Sequence, residues 1–105
     1  MQELQINYKQ DVEWQDALEP LAGAQIKLLR EEGKKKTFIL ELPKDFKGTA
    51  HTHSTTDQHF ILEGAYRSNG NTFNAGAYRL IPAGNAYDAL TSEHGAVVLV
   101  IQEPL

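Results

Sequence analysis

His51-Thr52-His53 and Asp57 are the residues whose types and spacing suggest chemistry in this chain. In an extended segment, residues i and i+2 point to one face, so both imidazoles aim at one point. Asp57 lies four residues after His53 and returns to that point if Ser54-Thr55-Thr56 bends. Two imidazoles and a carboxylate with open positions form the facial donor set that suits non-haem Fe(II), and zinc accepts the same donors. His59 shares the face of Asp57, two residues further on, and reads either as a further ligand or as a hydrogen-bonding partner behind the ligands. Taken alone, His-x-His is a weak pattern and the Ser-Thr-Thr-Asp run reads as a polar turn. His94 sits in Thr91-Ser92-Glu93-His94-Gly95, a loop by composition, and is expected to face solvent.

The elements that must position these residues are strands. With 105 residues, one domain over 1–105 is the expectation. Gln25 to Arg30, Thr37 to Leu42, Gln58 to Arg67, Thr72-Phe73, Ala77 to Ile81 and Ala96 to Ile101 read as strands. Glu31 to Lys34, Asp45-Phe46-Lys47-Gly48, Ser68-Asn69-Gly70-Asn71, Asn74-Ala75-Gly76 and Pro82-Ala83-Gly84 read as turns, with Asn69-Gly70 a strong hairpin signal. Asp11 to Leu18 fits two helical turns or an extended segment almost equally. Ala96 to Ile101 reads as buried on both faces. Evenly spaced strands without long helices predict an all-β antiparallel barrel or jelly roll and argue against a parallel βαβ sheet.

Composition narrows the partners. Ten Lys and Arg against 14 Asp and Glu give a net charge of −4, which lacks the basic footprint of a general nucleic-acid binder. The absence of Cys removes disulfides, thiol nucleophiles and iron–sulfur ligation. The longest apolar run, Ala96 to Ile101, is far shorter than the roughly 20 residues that span a bilayer. The first residues lack a basic start and an apolar stretch, so a cytoplasmic protein with no membrane association is the expectation. Alternation over Leu4 to Tyr8 suggests a segment that could pair with the edge of a second copy. By alternation Arg67 shares a face with Asp57, His59 and Glu63 unless a bulge intervenes, while an edge or surface position is the ordinary reading of such an arginine.

The order of these features resembles the cupin family. His51-Thr52-His53, three residues, Asp57, six residues and Gly64 follow the family's first motif, His-x-His, three or four residues, Glu, six residues, Gly. Gly76, five residues, Pro82-Ala83-Gly84, two residues and Tyr87 follow its second, which ends in His. The match runs from His51 to Tyr87, about a third of the chain, and looks most like small single-domain cupins akin to the cupin domain of zinc-binding anti-sigma factors. Asp57 stands for the family's Glu and Tyr87 for its second-motif His, while the glycine five residues before His-x-His is missing.

The resemblance implies a double-stranded β-helix and one divalent transition metal (Fe, Zn, Ni or Mn) held by His51, His53 and Asp57. A neutral phenol, with a pKa near 10, is a poorer ligand than imidazole. Three arrangements stay open: His51, His53 and Asp57 leave open positions; His59 replaces the missing imidazole; or the histidines line a weakened polar pocket. In an enzyme, His59 or Tyr87 would be the hydrogen-bond donor or acid/base behind the metal. A metal-dependent, Fe(II) dioxygenase-like enzyme on a small organic substrate is the leading expectation. A non-catalytic metal or small-ligand sensor is the alternative, and a homodimer fits both.

Overall fold

The computed structural model describes residues 2–87 and 89–104, with position 87 described for its backbone alone. Its strands are β1 (Gln15–Asp16), β2 (Gln25–Glu32), β3 (Lys35–Leu42), β4 (Phe46–Lys47), β5 (His51–Thr52), β6 (Thr55–Ser68), β7 (Asn71–Asn74), β8 (Tyr78–Ile81), β9 (Ala86–Tyr87), β10 (Thr91–Ser92) and β11 (Ala96–Pro104). Among the described residues no helix forms, and every pairing between these strands is antiparallel. One sheet runs β1-β2-β3-β11-β6-β10-β4, with β7 and β8 also pairing β6, and β5 pairs β9 separately. The fold is the all-β jelly roll that the strand-and-turn pattern predicts.

β6 is the spine. Its first half pairs with β11 on one side and β8 on the other, and its second half pairs with β10 and β7. To serve both groups it must bend, and the bend is at Gly64. That residue has φ +71°, and an added Cβ would lie 2.2 Å from the Gly95 carbonyl oxygen. A left-handed φ and a backbone approach this close leave room for glycine alone. Beside it the register with β11 slips, because Val97 pairs Glu63 while Val98 pairs Ile61. The slip exchanges the two faces of β6. Asp57, His59 and Ile61 face inward before it, and Tyr66 and Ser68 after it.

The core gathers Phe38, Leu40, Leu42, Phe46, Ile61, Tyr66, Ile81, Leu90, Val98 and Val100. Alternation explains most of this set, since one residue in two on β3, β6 and β11 points inward. Ile39 points the other way and is buried too. Beside it, Lys27 donates from Nζ to the Tyr8 carbonyl at 2.6 Å and lies 4.7 Å from the Trp14 ring centroid. The N-terminal stretch thus crosses the outer face of β2 and β3.

Several expectations change. Asp11 to Leu18 is extended apart from a bend, with Gln15–Asp16 pairing β2, because Pro20 and the lack of an apolar stripe leave a helix nothing to bury. Phe46–Lys47 is strand, since Phe46 drops into the core and outweighs the turn composition around it. β11 is fully buried on one face and half-buried on the other. Leu4 to Tyr8 forms no strand. The hairpin holds: Asn69 and Gly70 have φ of 53° and 77°, as a tight turn between β6 and β7 requires.

Candidate metal centre

His51 lies on β5, His53 just past its end, and Asp57 near the start of β6. Ser54 is the bend that joins them. The structure lines the three side chains up in a chain of contacts. His51 Nε2 is 2.8 Å from His53 Nε2, and His53 Nε2 is 3.3 Å from Asp57 Oδ2. The imidazole planes stand at 84°.

His51 and Asp57 are fixed from behind. His51 Nδ1 is 3.0 Å from the Thr49 carbonyl oxygen, which can only accept, so the proton sits on Nδ1 and Nε2 of neutral His51 presents its lone pair. Backing of this kind orients metal-bound imidazoles. Asp57 is 1% exposed; Thr55 Oγ1 donates to its Oδ1 at 2.9 Å and Gln102 Nε2 to its Oδ2 at 3.4 Å. Burial holds the His53 pKa below its usual value; the Asp57 charge opposes this and His51 adds to it. A deprotonated imidazole is the form that binds metal.

Two donors sharing one transition ion at about 2.0–2.2 Å must sit about 2.8–3.5 Å apart. Both contacts in the chain meet that condition, and the donor types suit Fe(II) or Zn(II). Among the described residues, no group of three or more such side chains forms an arrangement that could hold a metal as it stands. The two pairs fit singly; an ion would have to draw His51, His53 and Asp57 around itself.

His59 is placed differently. It is 3% exposed, and its Nδ1 lies 2.7 Å from the Tyr66 hydroxyl. Arg79 Nη1 donates to the same hydroxyl oxygen at 3.4 Å, which leaves the Tyr66 proton for His59 Nδ1. His59 is therefore neutral and protonated on Nε2. Burial, reinforced by Arg79, His53 and His51, depresses its pKa to about 3. Burial raises the Tyr66 pKa against the opposing pull of Arg79. The Arg79 guanidinium carbon lies 4.7 Å from the Phe73 ring centroid and 5.9 Å from that of Tyr66.

The buried arginine behind the site is thus Arg79; the register slip at Gly64 turns Arg67 outward. Tyr87 pairs with His51 across β5 and β9, which sets that position beside the donors, though its side chain lies outside the described residues. His94 is exposed as expected. Tyr66, Arg79 and Gln102 join the network without a motif of their own. Inward alternation on β8 could have flagged Arg79, whereas Gln102 meets Asp57 only through the β6–β11 register.

A jelly roll with this polar cluster between β5 and the start of β6 is the architecture of a cupin. The family model described as the ChrR cupin-like domain matches residues 2–105, and the chain belongs to that family. No curated protein matches it in sequence. The anti-sigma ChrR, solved in complex with SigE from Rhodobacter sphaeroides, is 20% identical with a TM-score of 0.75. That alignment covers 90% of this chain and 51% of ChrR, so the chain spans about half its length. A putative acetylacetone dioxygenase from Methylibium petroleiphilum is 20% identical with a TM-score of 0.84, covering 97% of this chain and 77% of that one. The polyketide cyclase RemF from Streptomyces resistomycificus is 16% identical with a TM-score of 0.85, covering 96% and 79%. At these identities the likeness shows the fold.

Proposed function

We propose that residues 1–105 form one metal-binding cupin domain whose ion is held by His51, His53 and Asp57. The observation that carries this reading is the pair of contacts at 2.8 Å and 3.3 Å, with His51 turned by Thr49 to present its lone pair. A bound Fe(II) or similar ion would supply Lewis acidity and electron transfer between O₂ and a small organic substrate.

The chain's own residues have narrower tasks. Thr49 fixes the His51 tautomer, and Thr55 and Gln102 hold the Asp57 carboxylate. His53 must carry its proton on Nδ1 for its Nε2 to join the Asp57 carboxylate, 3.3 Å away, on the ion. Neutral His59, tied to Tyr66 and Arg79, offers an Nε2–H donor of fixed orientation on the buried side. Tyr87, opposite His51, is the second candidate for proton transfer.

Three protein donors leave positions for substrate and O₂, which favours a dioxygenase-like enzyme. Oxygen uptake by the Fe(II)-loaded chain with acetylacetone and other 1,3-diketones tests it. Uptake abolished by His51→Ala supports an enzyme, and no uptake at full iron occupancy opposes one. The ChrR cupin-like family membership favours a second reading, a metal-dependent sensor without turnover.

Among the described residues no helix is long and apolar enough to cross a membrane. Phe60, Leu62, Tyr78 and Leu80 leave an apolar strip exposed on β6 and β8, which suits pairing with a second copy. Sedimentation at twice 11.7 kDa would support the dimer.

A further inference from the structure

Beyond the register slip, the outer face of the molecule carries a second polar cluster. β10 lies between β4 and β6, and β7 lies beyond β6. The register sets Lys47 opposite Thr91, Thr91 opposite Arg67, and Arg67 opposite Thr72. The four therefore form one row across four strands, on the face away from Phe46, Tyr66 and Ser92. With strands about 4.8 Å apart, the Lys47 and Arg67 backbones stand about 10 Å apart, with Thr91 between them. Side chains of that length can meet over the threonine hydroxyl.

The row borders a cavity of about 570 Å³ whose wall includes Ala65, next on the same face of β6. Ala65 is small, so space opens beside the two cations. Among the described residues no ion pair joins Lys47 or Arg67 to a carboxylate. Two like charges flank a hydroxyl on a rigid sheet, and the Ser92 hydroxyl, donating to the Ala65 carbonyl at 2.6 Å, ties β10 to β6. Asp45 and Glu93 also line the cavity, Glu93 lying 3.8 Å from the His94 ring. Their charges oppose an anion on their side of the cavity, so the ligand must seat against Lys47, Thr91 and Arg67.

We infer that this outer cleft binds the oxyanion of a small ligand, a carboxylate or a phosphate, through Lys47 and Arg67 with Thr91 and Thr72 as hydroxyl donors. The arginine fork suits two oxygens, and the lysine adds a point charge. The site is separate from His51, His53 and His59, and His94 alone of the histidines lines it. It lies on the opposite face of the strand carrying Tyr66, so it needs no metal.

The test is a titration of the metal-free chain followed by amide NMR, once with inorganic phosphate and once with acetate, against sodium chloride at equal ionic strength. The expected result is saturable shifts around Lys47, Ala65, Arg67 and Thr91, with Kd raised at least tenfold in Lys47→Gln and in Arg67→Gln. Both residues are exposed, so both variants should fold. Saturation by phosphate alone assigns a phosphate ligand, and saturation by acetate alone assigns a carboxylate. Shifts no different from chloride, shifts centred on Arg79 inside the barrel, or variants binding as tightly as the parent would each overturn the inference.

Discussion

Tyr66→Phe isolates the buried network behind the candidate site. The change deletes one oxygen from a ring that is 1% exposed, so packing is nearly conserved. It removes the proton given to His59 Nδ1 at 2.7 Å and the acceptor of Arg79 at 3.4 Å. The first bond is short and buried and contributes about 0.5–1.5 kcal/mol net; leaving a buried imidazole nitrogen without a donor costs about 1–3 kcal/mol. The longer Arg79 contact contributes little. The expected loss is about 2–3 kcal/mol, a large part of the roughly 5–15 kcal/mol of a small domain. For this size the melting temperature should fall by about 10–20 °C. Urea unfolding of the metal-free chain measures it directly. His59→Leu removes the other partner, so Tyr66→Phe/His59→Leu should cost less than the two single changes added, by at least about 1 kcal/mol. A single loss below about 0.5 kcal/mol, or additive losses, would refute the bond as described.

Tyr87→His restores an imidazole beside His51, and metal affinity measured by competition with a chelator should hold or rise; loss of metal would make the phenol itself a ligand. Gly64→Ala would force a Cβ to 2.2 Å from a carbonyl oxygen at φ +71°, so it should destabilise by more than about 3 kcal/mol, whereas Gly70→Ala, with open space around it, should cost about 1 kcal/mol. Equal melting points for these two variants would count against the bend. His59 should make the metal-free chain acid-sensitive: its folded pKa of about 3 lies below the unfolded 6.5, so the unfolded state takes the proton first. Stability is then full above about pH 6.5 and falls progressively toward pH 3, a slope that His59→Leu should flatten in a series of thermal melts.

The fold was legible where local chemistry decides it. Asn69-Gly70 demanded a tight hairpin and supplied it, and the Pro82 to Gly84 turn closes with Asn85 N–H on the Pro82 carbonyl and Gly84 at φ 84°. It was illegible where pairing across the barrel decides. The two-residue strands β5, β9 and β10 have no periodicity to read and exist through their partners. The face of Arg67 stayed open in the sequence for a related reason, and its surface reading is the one that holds. Alternation carries Arg67 inward only if β6 keeps step, and the slip beside Gly64 reverses it. The His51, His53 and Asp57 alignment was readable because i, i+2 spacing and one bend are local. The Tyr66 and Gln102 contacts are not, since they follow from a bent strand and from a register 45 residues away.

Metal content of the purified, untagged chain after anaerobic loading with Fe(II) or Zn(II) bears most directly on the central claim. About one ion per chain, lost in His51→Ala, His53→Ala and Asp57→Ala while each variant keeps its fold by circular dichroism, is the predicted result. No ion under either loading, or full occupancy in the three variants, would contradict it.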